Sequence, residues 1–196
     1  GKRWSPFPAA SLGWRISNED WFKEALPFVT SLKLRASAGL TGTTGISQSQ
    51  KDTIVKDFDS SSAKAIIAPN FSVGVVLMME FSAKAAPFFK EIEIVETHHT
   101  RKVDAPSGTA ITTANMVEVA REEAGIETKE IPIHSLRLSG AVAHQQVMLS
   151  SHGEILRIEH DANDRSCFMP GVIMSIEKVL NQKHVLFTIA PLLFNN

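Results

Sequence analysis

Hydrophobic and polar positions first form a repeating pattern from about residue 32. Apolar residues alternate with basic ones over 32–36, which predicts a strand, and a Gly-Thr-Thr-Gly turn follows at 42–45. Ser47 and Gln50 then have the spacing of a capping box, which predicts that a helix begins there. A short apolar run at 64–68 predicts a second strand. Strand, turn, helix and strand in this order predict a βαβ unit with parallel strands.

The pattern continues through the rest of the chain. It predicts a helix over 73–86, an alternating strand over 91–96 and a helix from Ser107 to near Gly125. The segments after that helix are joined by short Gly and Ser turns, which favour antiparallel pairing. They are strands at 133–138, 142–149 and 154–160, a helix at 169–180 with Pro170 in its first turn, and a last strand at 184–189. The predicted class is α/β followed by α+β.

Composition and charge exclude several kinds of protein. The 196 residues fit one domain or two small ones that share a core. Twenty basic residues against 21 acidic ones give a formal charge of −1, so no nucleic-acid-binding footprint is predicted. Cys167 is the only cysteine, which fits a reducing compartment, and it is interpreted as a packed residue rather than a nucleophile. With no membrane-length apolar run and no secretory pattern at the N-terminus, we expect a cytoplasmic protein.

Titratable residues concentrate in one run, Glu96 to Ala110, just before a predicted helix start. Histidine and lysine side chains there supply positive charge and groups that exchange protons near neutral pH. The first backbone N–H groups of the helix are unpaired and bind anions well. The run therefore predicts a site for a small anionic substrate. Its candidate residues are His98, His99, Lys102, Ser107, Gly108 and Thr109.

Two polar turns at predicted strand ends are candidates for contact with a nucleotide cofactor. Ligands of parallel sheets bind at the carboxyl ends of the strands, where both turns fall. These turns contain Gly42, Thr43 and Thr44 in one case, and Ala68, Pro69, Asn70 and Phe71 in the other.

Metal binding is the competing chemistry for the histidines. Potential ligands are present, but no His-Glu-x-x-His run and no paired cysteines occur, and Lys102 would repel a cation. We therefore expect no metal. The residues considered were Glu96, His98, His99, Asp104, His144, His152 and His160.

The run at 96–110 resembles the hallmark of the bacterial 4-hydroxy-tetrahydrodipicolinate reductase family, also called dihydrodipicolinate reductases. Further similarities follow in the family's order and together cover roughly residues 39–180. They are 42–45, 68–74, 134–137 with Gly140 and His144, and 154–171.

The resemblance implies reduction of a cyclic dicarboxylate by NADPH or NADH. It implies proton transfer by His98 and Lys102, and substrate binding by His99 and the helix start at 107–109. The turns at 42–44 and 68–71 would contact the nicotinamide side of the cofactor. It also implies a homotetramer built through the sheet of a second domain.

The implied architecture is a Rossmann-like nucleotide-binding domain, incomplete at its N-terminus, plus an α+β substrate and oligomerisation domain with a mixed or antiparallel sheet. The expected boundaries are 1–70, 71–168 and a return to the nucleotide domain over 169–196. Residues 1–40 lack the family's first strand and Gly-rich turn, so we expect an incomplete chain. The alternative is a non-catalytic homologue or fragment that keeps the substrate domain and binds no cofactor.

Overall fold

The computed structural model describes residues 10–14, 34–38, 47–59 and 65–194. The chain divides into two compact units, Gly1–Gly45 and Ile46–Asn196, and each is described by itself. In the first unit, strand β1 (Ala10–Trp14) pairs antiparallel with β2 (Leu34–Ala38). The strand predicted at 32–36 is thus found in part, two residues further along, and its residues 32 and 33 lie outside the described part.

The second unit begins with helix α1 (Gln48–Asp59). Its predicted capping box is confirmed. The Ser47 N–H donates to Gln50 Oε1 at 2.8 Å, and the Gln50 N–H donates to Ser47 Oγ at 3.3 Å. Each side chain thereby pairs a backbone donor at the start of the helix.

The parallel pairing predicted between the two strands of the βαβ unit stays a prediction, because β2 and Ile66 belong to the two different units. Strand β2 pairs antiparallel with β1, while Ile66 forms a single parallel bridge with Leu186. The Ile67 N–H donates to the Leu186 carbonyl at 2.8 Å. A short apolar run indicates burial but not a partner, and here the partner comes from the predicted last strand, 120 positions away.

A four-stranded mixed sheet in the order β4-β3-β5-β6 forms the centre of the second unit. Strand β3 pairs antiparallel with β5, and β5 pairs antiparallel with β6 across a short hairpin turn between Ser151 and Glu154. The antiparallel expectation is wrong for β4, which pairs parallel with β3. A helix connects these two strands, and such a crossover returns the chain in the same direction. The strands are β3 (Glu91–His98), β4 (Ile133–Arg137), β5 (Ala143–Ser151) and β6 (Glu154–Ala162).

Two helices cover one face of this sheet. Helix α2 (Val73–Ala85) is followed by a 3-10 turn at Ala86–Phe88, and α3 (Gly108–Glu123) is the crossover between β3 and β4. The main core lies between α3 and the sheet, where Ile94, Val117 and Val147 are fully buried. Both helices begin where the sequence predicted. No helix in the described ranges is long and apolar enough to cross a bilayer.

The C-terminal segment packs against the chain around residue 70. A 3-10 turn (Arg165–Phe168) leads into α4 (Met169–Lys178), a 3-10 turn (Val179–Asn181) and a short helix α5 (Ala190–Phe194). Ile189 and Leu192 form a second core cluster with Ala68. Helix α4 approaches the 68–71 turn so closely that a Cβ on Gly171 would overlap the Phe71 carbonyl oxygen. Glycine at 171 therefore permits this close approach.

Candidate active site

The candidate site forms where β3 ends and α3 begins. Alternation along β3 directs Ile92 and Ile94 into the core, and Glu96 and His98 continue on the same face. Ser107 is the N-cap of α3, because its Oγ accepts from the Ala110 N–H at 3.2 Å. The end of β3 and the start of α3 therefore hold residues 96–110 close together.

A fully buried carboxylate, that of Glu96, is the centre of this region. Arg137 donates to both of its oxygens, at 2.8 and 3.1 Å, in a bidentate ion pair. The Ser107 N–H donates to Oε1 at 3.3 Å, and His98 Nδ1 is hydrogen-bonded to Oε2. Strand pairing explains the arrangement, since His98 and Arg137 are register partners on β3 and β4.

The surroundings shift the pKa of both groups in this hydrogen-bonded pair. Burial alone raises the pKa of Glu96, but hydrogen bonds from Arg137, Ser135 and His98 outweigh it and the pKa is lowered. Burial lowers the pKa of His98, and the nearby charges of Lys102 and Arg137 lower it further, against the opposing effect of Glu96. At neutral pH the carboxylate is therefore charged and the imidazole neutral.

One pocket brings together several of the predicted residues. His98 from the end of β3, Thr109 from the start of α3 and Asn70 from the 68–71 turn all line it. The pocket thus joins predicted catalytic, substrate-binding and cofactor-binding positions. Its other lining residues are Ser72, Val75, Ala143, His144, Gln145, His160, Ala162 and Phe168.

Other predicted site residues lie on the same loop and helix start but do not line this pocket. Lys102 donates to Asp104 Oδ2 at 2.7 Å, and this hydrogen bond lowers the pKa of Asp104. The Nδ1 atom of His99 is buried and has no hydrogen-bond partner within the described residues. Ser107 is buried and caps α3, and Gly108 is its first residue.

The predicted cofactor turn at 68–71 is only partly directed at the pocket. Asn70 lines the pocket, and its Oδ1 accepts from the Ser72 N–H at 2.8 Å. Ala68 is buried in the second core cluster, and Pro69 is exposed. Gly42, Thr43 and Thr44 lie outside the described residues.

From the sequence, Arg137 was noted only within the 134–137 similarity and His160 only as a possible metal ligand, and Gln145 was given no role. His160 lies over Gly74, where an added Cβ would overlap its ring, and burial lowers its pKa. Gln145 donates to Thr113 Oγ1 at 2.7 Å, but its buried Oε1 has no partner in the described part of the chain. These residues come from three different strands, so no local pattern predicts that they meet at this site. A signal did exist for Glu96, which takes an inward position after Ile92 and Ile94.

No group of three His, Cys, Asp or Glu residues in the described ranges is arranged to hold a metal ion. Cys167 is free and half-buried in the turn before α4.

Comparisons with known proteins agree on one family. A family model described as "Dihydrodipicolinate reductase, C-terminus" matches residues 74–193. A 4-hydroxy-tetrahydrodipicolinate reductase of Coxiella burnetii is 44% identical over 162 residues, which is 78% of this chain and 68% of that protein. One from Synechocystis sp. is 39% identical over 170 residues, covering 79% and 62%.

A solved structure is similar as well. It is a dipicolinate-bound dihydrodipicolinate reductase from Paenisporosarcina sp. TG-14, 39% identical, with a TM-score of 0.65 over 76% of this chain and 62% of that one. The chain therefore spans about two thirds of the length of these relatives, from 62% to 68%.

The α/β fold with a mixed sheet and these matches define an oxidoreductase of the class that uses a pyridine nucleotide. Both the predicted fold class and the predicted enzyme class are confirmed. Within that class, the chain belongs to the dihydrodipicolinate reductase family.

Proposed function

We propose that this chain catalyses reduction of 4-hydroxy-tetrahydrodipicolinate to tetrahydrodipicolinate, with NADPH or NADH as hydride donor, in diaminopimelate and lysine biosynthesis. The observation that carries the proposal is the pocket in which His98, Thr109 and Asn70 meet. The relatives named above support the substrate, and the Paenisporosarcina structure, bound to dipicolinate, supports a dicarboxylate ligand.

The start of α3 offers donors for a substrate carboxylate. The Ala110 N–H is taken by Ser107 Oγ, and the Ser107 N–H by Glu96. The N–H groups of Gly108 and Thr109 lie in the first turn and have no acceptor within the helix. They point along the positive end of the helix dipole, which favours an anion. Lys102 and His99 on the preceding loop are the proposed further contacts.

The proposed substrate carries a hydroxyl group that the product lacks. Its replacement by hydrogen takes one hydride and one proton and releases water. The pyridine nucleotide supplies the hydride when it is bound. His98 and Lys102 are the groups proposed to move the proton, since Nδ1 of His98 is held by Glu96 and Nε2 is left for the pocket.

The residues near the pocket fit a nicotinamide. The buried Oε1 of Gln145 lacks a partner among the described residues, and the carboxamide of nicotinamide supplies a matching N–H donor. Asn70 lies on the same pocket, and we propose that the rest of its turn, Ala68, Pro69 and Phe71, holds the cofactor's nicotinamide side. Gly42, Thr43 and Thr44 are proposed contacts of the same kind.

Assembly into a homotetramer and a cytoplasmic location complete the proposal. The sheet face turned away from α3 carries Val95, Leu136 and Met148, and Leu136 is 46% exposed. Half-exposed apolar residues on a sheet face suit an interface between copies. The single cysteine fits a reducing compartment. A non-catalytic homologue is not favoured, because the relatives are named as reductases and the 96–110 run is present in full.

Cofactor titration tests the proposal. NADPH and NADH are each titrated into the chain by fluorescence, and pyridine-2,6-dicarboxylate is then added. We expect saturable binding of at least one nucleotide and tighter binding once the dicarboxylate is present. Turnover is compared for His98→Ala and for His152→Ala, a control in the exposed β5–β6 turn. Absence of nucleotide binding at millimolar concentration would exclude this function for the chain.

A further inference from the structure

Glu96 is an unusual residue for its position. It is fully buried at an inward-facing position of β3, where the preceding inward residues are Ile92 and Ile94. A carboxylate is strongly unfavourable there unless it is paired and hydrogen-bonded. A hydrophobic residue would satisfy the core, so stability alone does not account for a charge at this point. Its contacts point to a different reason.

The hydrogen bonds of Glu96 determine which nitrogen of His98 carries a proton. Arg137 donates to both carboxylate oxygens, and the Ser107 N–H donates to one. An ionised carboxylate accepts hydrogen bonds and donates none. Since His98 Nδ1 is hydrogen-bonded to Glu96, Nδ1 must be the protonated nitrogen. A neutral His98 therefore has a free lone pair on Nε2, which is left for the pocket.

We propose that Glu96 is a positioning residue that fixes the Nδ1–H tautomer and the ring orientation of His98, with Arg137 holding the carboxylate in place. The role rests on the proposed function, in which His98 exchanges a proton with the substrate. When Nε2 takes up a proton, the carboxylate stabilises the resulting imidazolium. When Nε2 releases it, the hydrogen bond to Glu96 keeps the ring aligned for the next cycle.

A second glutamate–histidine pair lies on the same two strands but is more exposed to solvent. Glu93 Oε2 lies 2.9 Å from His134 Nε2, also between β3 and β4. Both side chains of that pair are about half exposed, and neither lines the pocket. Glu93→Gln is therefore the control for Glu96→Gln, since it removes the same chemical group from the same strand. Other charged or titratable groups around the His98 ring are Arg137, Lys102, His144 and His160.

The kinetic test compares these variants with the wild type. For Glu96→Gln we expect kcat to fall by about 10²- to 10⁴-fold. An amide both donates and accepts hydrogen bonds, so it can pair with either tautomer of the histidine and no longer selects one. We expect KM for the dicarboxylate to change by less than about threefold, since the anion donors at α3 are retained. Glu93→Gln should leave both constants unchanged, and Glu96→Asp should recover part of the lost kcat. A Glu96→Gln enzyme with kcat within about threefold of the wild type would overturn the proposal.

A measurement on the wild-type chain does not depend on any variant folding. Histidine labelled with ¹⁵N reports its tautomer through the chemical shifts of its two nitrogens, and His98→Gln identifies the signal. We expect a protonated Nδ1 and an unprotonated Nε2 at neutral pH. The opposite tautomer would overturn the role of Glu96. A chain with the expected tautomer but no reductase activity would instead count against the proposed function alone.

Discussion

The Glu96–Arg137 ion pair allows a sharp test of how this core is stabilised. Arg137→Met removes both guanidinium hydrogen bonds from a carboxylate that is 0% exposed and leaves a side chain of similar length. The carboxylate then keeps the Ser107 N–H, Ser135 and His98 as partners. Loss of one partner of a buried ion pair destabilises a protein by about 3–5 kcal/mol. Total stabilities are about 5–15 kcal/mol, so the effect is large.

Urea denaturation measures this loss. The free energy of unfolding of such a domain falls by roughly 2 kcal/mol per molar urea. A loss of about 4 kcal/mol therefore lowers the urea midpoint by about 2 M. Arg157→Met is the control, because Arg157 is an exposed arginine on β6, and we expect its midpoint to stay within about 0.3 M of the wild type.

The pH dependence identifies Glu96 as the source of the loss. In the wild type its pKa lies below the unfolded value, so its stabilising contribution is present above the unfolded pKa and is lost as pH falls. Without Arg137, we expect burial to raise the pKa above the unfolded value. As pH falls, Glu96 in the variant then takes up a proton, and the destabilisation caused by its unpaired buried charge decreases. The stability gap between wild type and variant should be widest near pH 8 and narrow towards pH 5. A gap that stays constant with pH, or lies below about 1 kcal/mol, would refute this reasoning.

Three further predictions concern the pocket, the helix contact and the assembly. Thr109→Val should mainly raise KM for the dicarboxylate, with kcat nearly unchanged in steady-state assays, because a donor at the α3 start is lost while the proton-transfer groups remain. Gly171→Ala should lower the melting temperature, since its Cβ would overlap the Phe71 carbonyl, whereas Gly140→Ala, with open space around it, should not. Leu136→Lys should shift the particle mass in light scattering from a tetramer to smaller species, and an unchanged mass would exclude this face as the interface.

Local sequence patterns predicted the helices of this fold well. Ser107 caps α3 and Pro170 lies in the first turn of α4, because caps and helix starts depend on neighbours within a few positions. Strand partners were predicted less well. The place of β4 beside β3 follows from the helix that connects them, and the bridge from Ile66 to Leu186 depends on packing between distant segments. Such pairings leave no periodic signal in the sequence.

The alternation of side chains along β3 separates the residues of the predicted site into two groups. The sequence marked 96–110 as one anion-binding run, and a strand places alternate residues on opposite faces. Glu96 and His98 therefore share the inward face, and Arg137 reaches them from the register position opposite His98. The proposed substrate-facing part of the run is then the Nε2 atom of His98 and the start of α3, while Glu96 is hydrogen-bonded within the protein itself. Arg137 is 41 positions from Glu96, so the run alone could not identify the residue that keeps its carboxylate charged. The inward position of a glutamate after two isoleucines was the one sequence signal that such a partner must exist, because an unpaired buried carboxylate would take up a proton instead.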